Sequence, residues 1–325
     1  MPPETTFAAV DVVMPVYNGE SFVHEAVTSI LRQSFTDLRL ICIDDGSTDQ
    51  SSQILKKLAD TDPRLLVVRQ DNKGLVGALN AGLALCTAPL IARMDADDIA
   101  MPDRFMLQVK YLNENPDVIA VGTAILEMDS DTDPLAIEQF ATDHEQIDEC
   151  MLRLKTGMAH PSVMMRRESV EALGGYREDF EWVEDIDLWL RMAEYGRLAN
   201  LPDVLLCYRQ HTSSGTWTVG QARRTRTVAL IKEAYARRGL TVPEELIAQC
   251  ERIRSGGGPV KWARRASRQG QWNVARKHLG RQWKDSPLTF LTWRMTLEVA
   301  VRSVVTRIAK GKPKFPEIPR YRDAA

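Results

Sequence analysis

Three carboxylates, Asp95, Asp97 and Asp98, stand directly after the apolar run Pro89-Leu-Ile-Ala-Arg-Met94 and before the helix start Met101-Pro-Asp-Arg104. Carboxylates this close repel unless a cation lies between them, and hard oxygen ligands suit Mg²⁺ or Mn²⁺. The competing reading is a solvated acidic loop that caps the next helix, with Asp103 contributing. A second acidic group, Glu184-Asp185 with Asp187, opens a helical pattern carried by Leu188, Trp189 and Met192. Acidic residues in a first turn suit the helix dipole without any catalysis. Alternatively, one of them serves as general base toward an attacking hydroxyl. No Ser/His/Asp or Cys/His constellation is evident.

The elements that must position these groups can be read from the apolar periodicity. Asp11–Val16 reads as a buried strand, followed by the turn Tyr17-Asn18-Gly19 and a helix from Glu20 to Arg32. Leu38–Ile43 is a second strand, ending in Asp44-Asp45-Gly46-Ser47-Thr48-Asp49. Ser47 or Thr48 is expected to cap the helix that continues through Ile54, Leu55 and Leu58. Leu65–Val68 is a third strand, and Asn72-Lys73-Gly74 opens the helix Leu75–Leu85. The fourth strand leads into Asp95. This alternation predicts an α/β fold with a parallel sheet and helices on its faces. Parallel strands gather their terminal turns on one edge, so Tyr17, Asp44, Lys73 and Asp95 should surround one crevice, the logic of a nucleotide site. Neither a GxGxxG fingerprint nor a P-loop is present. A Tyr17 face and an Asp44 carboxylate can instead hold a base by stacking and by accepting a ring N–H. The local alternatives are a rim packing residue and a turn former.

The strings VVMPVYNGESFVHEAVTSILRQSF, ICIDDGSTDQS, NKGLVGALNAGL and RMDADDIAMPDRF together resemble a family 2 glycosyltransferase of the GT-A fold, and later motifs extend the resemblance to about residue 215. The resemblance implies a Rossmann-like, mostly parallel sheet and transfer of a sugar from a nucleotide-diphosphate donor with inversion. It also implies a divalent metal, Mn²⁺ or Mg²⁺, at a D-x-D motif formed by Asp95, Ala96 and Asp97. By that analogy Pro15, Tyr17 and Glu20 lie against the nucleobase and ribose, Asp44 accepts from the base, and Lys73 faces the nucleotide. Asp95 lies near the ribose and metal, and Asp97 is the direct ligand. The family's Glu-Asp pair matches Glu184-Asp185, with the base on Asp185. An Arg-x-His loop that reaches the metal or diphosphate matches Arg209-Gln-His211, which adds His211 as a candidate ligand. His160-Pro-Ser matches a segment on the acceptor side, and a packed, hydrogen-bonded histidine is the alternative there. UDP is the expected donor nucleotide, with dTDP and GDP open. The expected acceptor is a hydroxyl of a glycan or lipid-linked molecule, in cell-surface polysaccharide or glycoconjugate synthesis. Two rival readings are a non-catalytic nucleotide- or glycan-binding module on the same fold and a metal-dependent nucleotidyltransferase.

The 325 residues, 44% hydrophobic and 26% charged, suffice for one large domain plus an appendage or for two domains. The overall charge of −2 hides a division: residues 1–222 carry 36 acidic against 18 basic side chains, a net of −18. Residues 223–325 carry 24 basic against 8 acidic, a net of +16. The expected division is a catalytic domain over 1–215 and a basic helical region over 216–325, with a linker near 255–259. Helices are predicted over 218–238 and 243–253, as a basic pair over 260–284, and over 286–310. In the basic pair, Trp262, Trp272 and Trp283 interleave with Lys261, Arg264, Arg265, Arg268, Arg276, Lys277 and Arg281. Glu298 and Arg302 form an i,i+4 pair. Contact with an anionic membrane surface is the favoured reading of this region, and docking on the acidic half is the alternative. Nucleic-acid binding has no motif to support it. The acidic stretch 128–133 reads as an exposed turn, and the Pro-rich tail 312–320 as extended or disordered. The five cysteines are widely spaced, the N-terminus lacks a signal-peptide layout, and no apolar run reaches the ~20 residues of a span. Reduced thiols and a cytoplasmic location, peripheral to the inner face of a membrane, are expected.

Overall fold

The computed structural model describes residues 8–211, 221–251, 258–287, 289–309 and 315–321. Its first half alternates β1 (Val10–Val16), α1 (Val23–Leu31), β2 (Leu38–Asp45), α2 (Ser51–Ala59), β3 (Leu65–Gln70), α3 (Gly74–Leu83) and β4 (Leu90–Arg93). β1 and β4 are buried along almost their whole length, as central strands covered on both faces must be. These four strands are parallel in the order β3-β2-β1-β4, with Val16 beside Asp44 and Val13 beside Arg93. The parallel sheet with flanking helices is therefore as predicted, and the turns after β1, β2 and β4 share one edge.

Past β4 the sheet becomes mixed. The next elements are β5 (Ile99–Ala100), α4 (Arg104–Glu114), β6 (Val118–Asp129), β7 (Pro134–Glu138), α5 (His144–Leu152), β8 (Met164–Arg166), α6 (Arg167–Ala172), α7 (Glu184–Tyr195) and β9 (Arg197–Gln210). β8 pairs antiparallel with β4 and β6, β6 runs parallel to β9, and β5 and β7 are antiparallel additions. The long β9 matters most for the site, because it delivers Arg209, Gln210 and His211 to the loop after β4.

Two cap expectations fail. Helix α2 begins at Ser51 with Gln50 as its N-cap and no side-chain cap bond, so neither Ser47 nor Thr48 caps it. Ser47 Oγ instead accepts from the Asn18 amide at 3.1 Å, tying the β1 turn to the β2 turn. Asp103 stands at the N-cap of α4 but makes no cap bond there. Gly46 (φ +75°) makes the sharp turn after β2, where an added Cβ would sit 3.0 Å from the Asn72 amide nitrogen.

The basic region is α8 (Gln221–Arg237), α9 (Glu244–Glu251), α10 (Pro259–Arg268), α11 (Trp272–Asp285) and α12 (Phe290–Ala309), close to the predicted helices. The expected boundary at 215 and residues 255–257 of the expected linker lie outside the described residues. Helix α8 places Leu230 and Ala234 in the same core as Leu188 and Trp189 of α7. Helices α10–α12 form a separate cluster around Trp262, Ala266, Leu279 and Met295 that takes in Leu135 of β7.

Two expectations that bear on this half are corrected. Trp262 is a core residue, 4% exposed, and is not part of a surface stripe. Many of the bases are engaged: Arg265 pairs with Glu127 and Glu138, Lys277 with Asp129, Asp131 and Asp133, and Arg281 with Asp131. The acidic 128–133 stretch is thus the docking point of the helical region, and Asp129 is fully buried. The tail over 315–321 forms no helix or strand, in keeping with the extended reading, and its Phe315, Ile318 and Tyr321 pack on Ile99, Leu126, Met128 and Cys207. Glu298 pairs with Arg264 at 3.4 Å, while the Arg302 side chain lies outside the described ones.

Candidate active site

The chain leaves the sheet at Asp95, where the Met94 amide still donates to the Val13 carbonyl of β1. One carboxylate oxygen each from Asp95, Asp97 and Asp98 lies within 4.8 Å of the others. Burial, and then Asp97, raise the Asp98 carboxyl well above its usual range. Asp95 is raised too, by burial first, although the buried Arg93 guanidinium pairs with it and works against the shift. The three acids then divide their work. Asp98 turns inward, its Oδ1 accepting from the Arg209 amide at 2.8 Å. Asp97 Oδ2 lies 2.7 Å from His211 Nε2. Two carboxylates and an imidazole gathered where negative charge is in excess make a donor set that fits Mn²⁺ or Mg²⁺.

Arg209 is the structural centre of this loop, 2% exposed and saturated with partners. Its Nε donates to the Asp97 carbonyl at 2.7 Å, and one Nη donates to Glu25 of α1 at 2.9 Å. The guanidinium carbon lies 4.7 Å from the centre of the Phe22 ring, which in turn packs against His211.

The second acidic pair opens α7. Trp182, just before it, has φ +75°, a conformation that a bulky side chain rarely adopts and that marks stored strain. Glu184 is 4% exposed, and its Oε2 has no hydrogen-bond partner among the described residues. Burial, together with the neighbouring Asp185 charge, pushes the Glu184 carboxyl up to about 8. Asp185 is raised by burial as well, but its Oδ1 accepts from the Ile186 amide at 2.8 Å. The two members thus differ: Glu184 is raised by burial and has no partner for its Oε2 among the described residues, whereas Asp185 keeps an amide donor. The Asp185 charge adds a small further upward push on Asp95. His160 is packed: its Nε2 is 2.8 Å from the Tyr176 hydroxyl, its ring faces Trp189, and burial pulls its pKa well below the usual value.

On the edge of β1 and β2, Tyr17 is 55% exposed. Glu20 Oε2 accepts from the Gln50 amide at 2.9 Å. Asp44 is buried and already accepts from the Ser47 amide, Ser52 and Arg69. The Lys73 amide donates to Asp45 at 2.9 Å while the side chain is exposed.

The family model described as glycosyl transferase family 2 matches residues 11–174, just over half of the chain. The chain belongs to that family. Among curated relatives, the amylovoran biosynthesis glycosyltransferase AmsE of Erwinia amylovora is 33% identical over 211 residues, covering 61% of this chain and 75% of that protein. The O-antigen biosynthesis glycosyltransferase WbnJ of Escherichia coli is 32% identical over 209 residues, 63% and 81% of the two chains. Among solved structures, TarS of S. aureus in complex with UDP-GlcNAc superposes with a TM-score of 0.61 at 15% identity, covering 93% of this chain and 92% of that one. A mannosyltransferase of Pyrobaculum calidifontis in complex with GDP-Man and Mn²⁺ gives 0.52 at 19% identity, with 94% and 88% covered. At these identities the structural likeness shows the GT-A type fold alone.

For this family 2 glycosyltransferase, the structure brings Asp95, Ala96, Asp97 and His211 into one loop cluster, with Pro15 and Asp44 on the paired strands β1 and β2 and Tyr17 and Glu20 in the turn after β1. The matched segment ends at 174, so Glu184, Asp185 and His211 lie beyond it. Sequence reasoning missed Arg93 and Tyr176, and it named Arg209 only as part of the Arg-x-His match. Arg93 was visible as a lone charge inside an apolar strand, and that is the signal that should have singled it out. Asp187 is structural: buried, it pairs with Arg177 and, at 2.7 Å, with Arg191.

Proposed function

We propose that the protein transfers a sugar from a nucleotide-diphosphate donor, UDP-linked by preference, to a hydroxyl of a glycan or lipid-linked acceptor, with inversion at the anomeric carbon. The observation that carries this reading is the acidic D-x-D cluster together with a Glu-Asp pair that opens α7 with Glu184 buried. In the reaction, the acceptor oxygen bonds to the anomeric carbon as the bond from that carbon to the diphosphate oxygen breaks. Asp185 takes the hydroxyl proton. Glu184, protonated, spares Asp185 a second negative neighbour. Asp97, Asp95 and His211 would hold Mn²⁺ or Mg²⁺, whose Lewis acidity stabilises the diphosphate leaving group. Pro15, Tyr17, Glu20, Asp44, Lys73 and Ala96 form the proposed nucleotide side, with Tyr17 free to stack on the base.

Residues 1–215 are the proposed catalytic unit and 216–325 its helical appendage. The named relatives act in amylovoran and O-antigen biosynthesis, and cell-surface polysaccharide or glycoconjugate synthesis is the role proposed here. No helix of the described residues is long and apolar enough to cross a membrane. The proposed membrane contact is peripheral, on the cytoplasmic face, through the exposed Phe290, Trp293 and Leu297 of α12 beside Arg294.

The test is cleavage of a panel of nucleotide sugars by purified protein with Mn²⁺, Mg²⁺ or EDTA, beside Asp97→Ala and Asp185→Asn. Metal-dependent cleavage of one donor, lost in both variants, is the expected result. Absence of any nucleotide binding by calorimetry, with or without metal, overturns the reading.

A further inference from the structure

We propose that the C-terminal helical region sets the geometry of the D-x-D loop, through Lys277, the acidic turn at 129–133 and Arg209. The inference rests on the reading of Asp97 and His211 as metal ligands. It makes Lys277 a positioning residue for the transfer reaction.

The turn is tight and highly charged. Asp129 Oδ1 accepts from the amides of Asp131 and Asp133, both at 2.9 Å, and Thr132 is in the left-handed region with φ +68°. This folds three carboxylates toward one another, a cost that a cation between them must offset. Lys277 Nζ, from α11, is that cation, at 2.7 Å from Asp129, 2.7 Å from Asp131 and 2.5 Å from Asp133. Burial works to lower the Lys277 pKa, but hydrogen bonds to the three carboxylates raise it. A metal ion has no place in a ring already filled by an ammonium. His278 Nε2 adds a 2.8 Å contact to Asp129, and Arg281 pairs with Asp131 from outside.

The inner side of the same turn grips Arg209. One Nη donates to the Ser130 carbonyl at 3.3 Å and to Thr132 Oγ1 at 3.2 Å. The opposite parts of Arg209 bracket the Asp97–Asp98 peptide, with Nε on the Asp97 carbonyl and the amide on the Asp98 carboxylate. An unbroken series of polar contacts therefore runs from α11 to the residue that faces His211. Without Lys277 the three carboxylates repel, the turn opens, and Arg209 loses two of the acceptors that fix its guanidinium. The Asp97 carboxylate then loses its alignment with the imidazole. Second-sphere partners of metal ligands commonly govern affinity by about 10–100-fold when removed.

The experiment compares full-length wild type with Lys277→Met, Lys277→Arg, Arg281→Met and the near-isosteric Thr132→Val. Two readouts are taken: the affinity for Mn²⁺ in the presence of UDP by calorimetry, and amide hydrogen exchange over 96–100 and 205–211. Lys277→Met is expected to weaken Mn²⁺ about tenfold and to speed exchange in both segments. Lys277→Arg restores both properties, and Arg281→Met leaves them unchanged. Thr132→Val, which removes an acceptor of Arg209 and leaves Lys277 in place, gives the same direction should Lys277→Met fail to fold. Faster exchange confined to α10 and α11, with Mn²⁺ affinity and the two segments unaltered, overturns the proposal. Wild type that binds no UDP or Mn²⁺ refutes the functional reading, and the exchange data then decide the structural link by themselves.

Discussion

His211 Nε2 and Asp97 Oδ2 lie 2.7 Å apart although the two residues are 114 positions apart in the chain. The contact joins the end of β9 to the loop after β4, and it places a borderline-soft nitrogen beside a hard oxygen. Mn²⁺ accepts such a mixed set more readily than Mg²⁺. His211→Ala should therefore raise the Mn²⁺ concentration for half-maximal donor cleavage by about 10-fold or more, and raise that for Mg²⁺ less. A metal titration at fixed donor checks this, and equal shifts for both ions would remove His211 from the ligand set.

Glu184 and Asp185 should separate in their pH behaviour. Asp185→Asn is expected to lower kcat by about 10²–10⁴-fold, as for the loss of a general base. Glu184→Gln mimics the protonated acid and should leave the rate at pH 7 within about threefold of wild type, a change below ~1 kcal/mol in barrier. A carboxyl held at about 8 in the folded state, above its ordinary value of 4.5, binds more protons folded than unfolded. Its stabilising contribution is complete below the unfolded value and is lost as pH rises through about 8. Wild type should thus lose stability relative to Glu184→Gln between about pH 4.5 and pH 8 and level off above that, read by urea denaturation across that range.

Asp187 offers a contrast within the same helical turn. Its carboxylate is fully buried between Arg177 and Arg191, so Asp187→Ala leaves a buried guanidinium uncompensated. The expected cost is about 3–5 kcal/mol of folding free energy. The metal requirement of the remaining folded enzyme should be unchanged. Denaturant unfolding and a Mn²⁺ titration distinguish this structural role from a catalytic one.

The face of α12 can be tested apart from catalysis. Phe290, Trp293 and Leu297 are 81%, 58% and 67% exposed. Replacing Trp293 and Leu297 together by Ser removes roughly 3 kcal/mol of burial free energy if these side chains enter a bilayer interface. Flotation with vesicles containing anionic lipid should lose about a hundred-fold in partitioning. Equal retention of wild type and variant would exclude this face as the contact.

Much of the site was legible because its chemistry is local. An apolar strand ending in Asp95, a turn carrying Tyr17 and a helix opening at Glu184 each declare themselves within a dozen residues, and the parallel alternation gathers the first turns on one edge. What escaped was long-range. Asp129 and Lys277 are 148 positions apart, and nothing in the string near 129 says that a base will arrive there from α11. The turn was read as solvated because acidic turns usually are. Arg209 was visible only as part of an Arg-x-His match that pointed toward the diphosphate, whereas its side chain is buried against the backbone of the metal loop. The caps failed for a related reason: Ser47 has a stronger claim on it from Asn18, across 29 residues, than from its own helix.

The seating of Phe315, Ile318 and Tyr321 on Ile99, Leu126, Met128 and Cys207 bears on how the protein is made. Synthesis runs from the amino end, so the apolar patch around Ile99 leaves the ribosome long before the segment that covers it. The nascent enzyme carries an open, sticky surface while its D-x-D loop is already complete, and a growing chain in that state is exposed to aggregation. The segment at 315–321 therefore does more than extend the chain: it covers an apolar face that the earlier strands leave open.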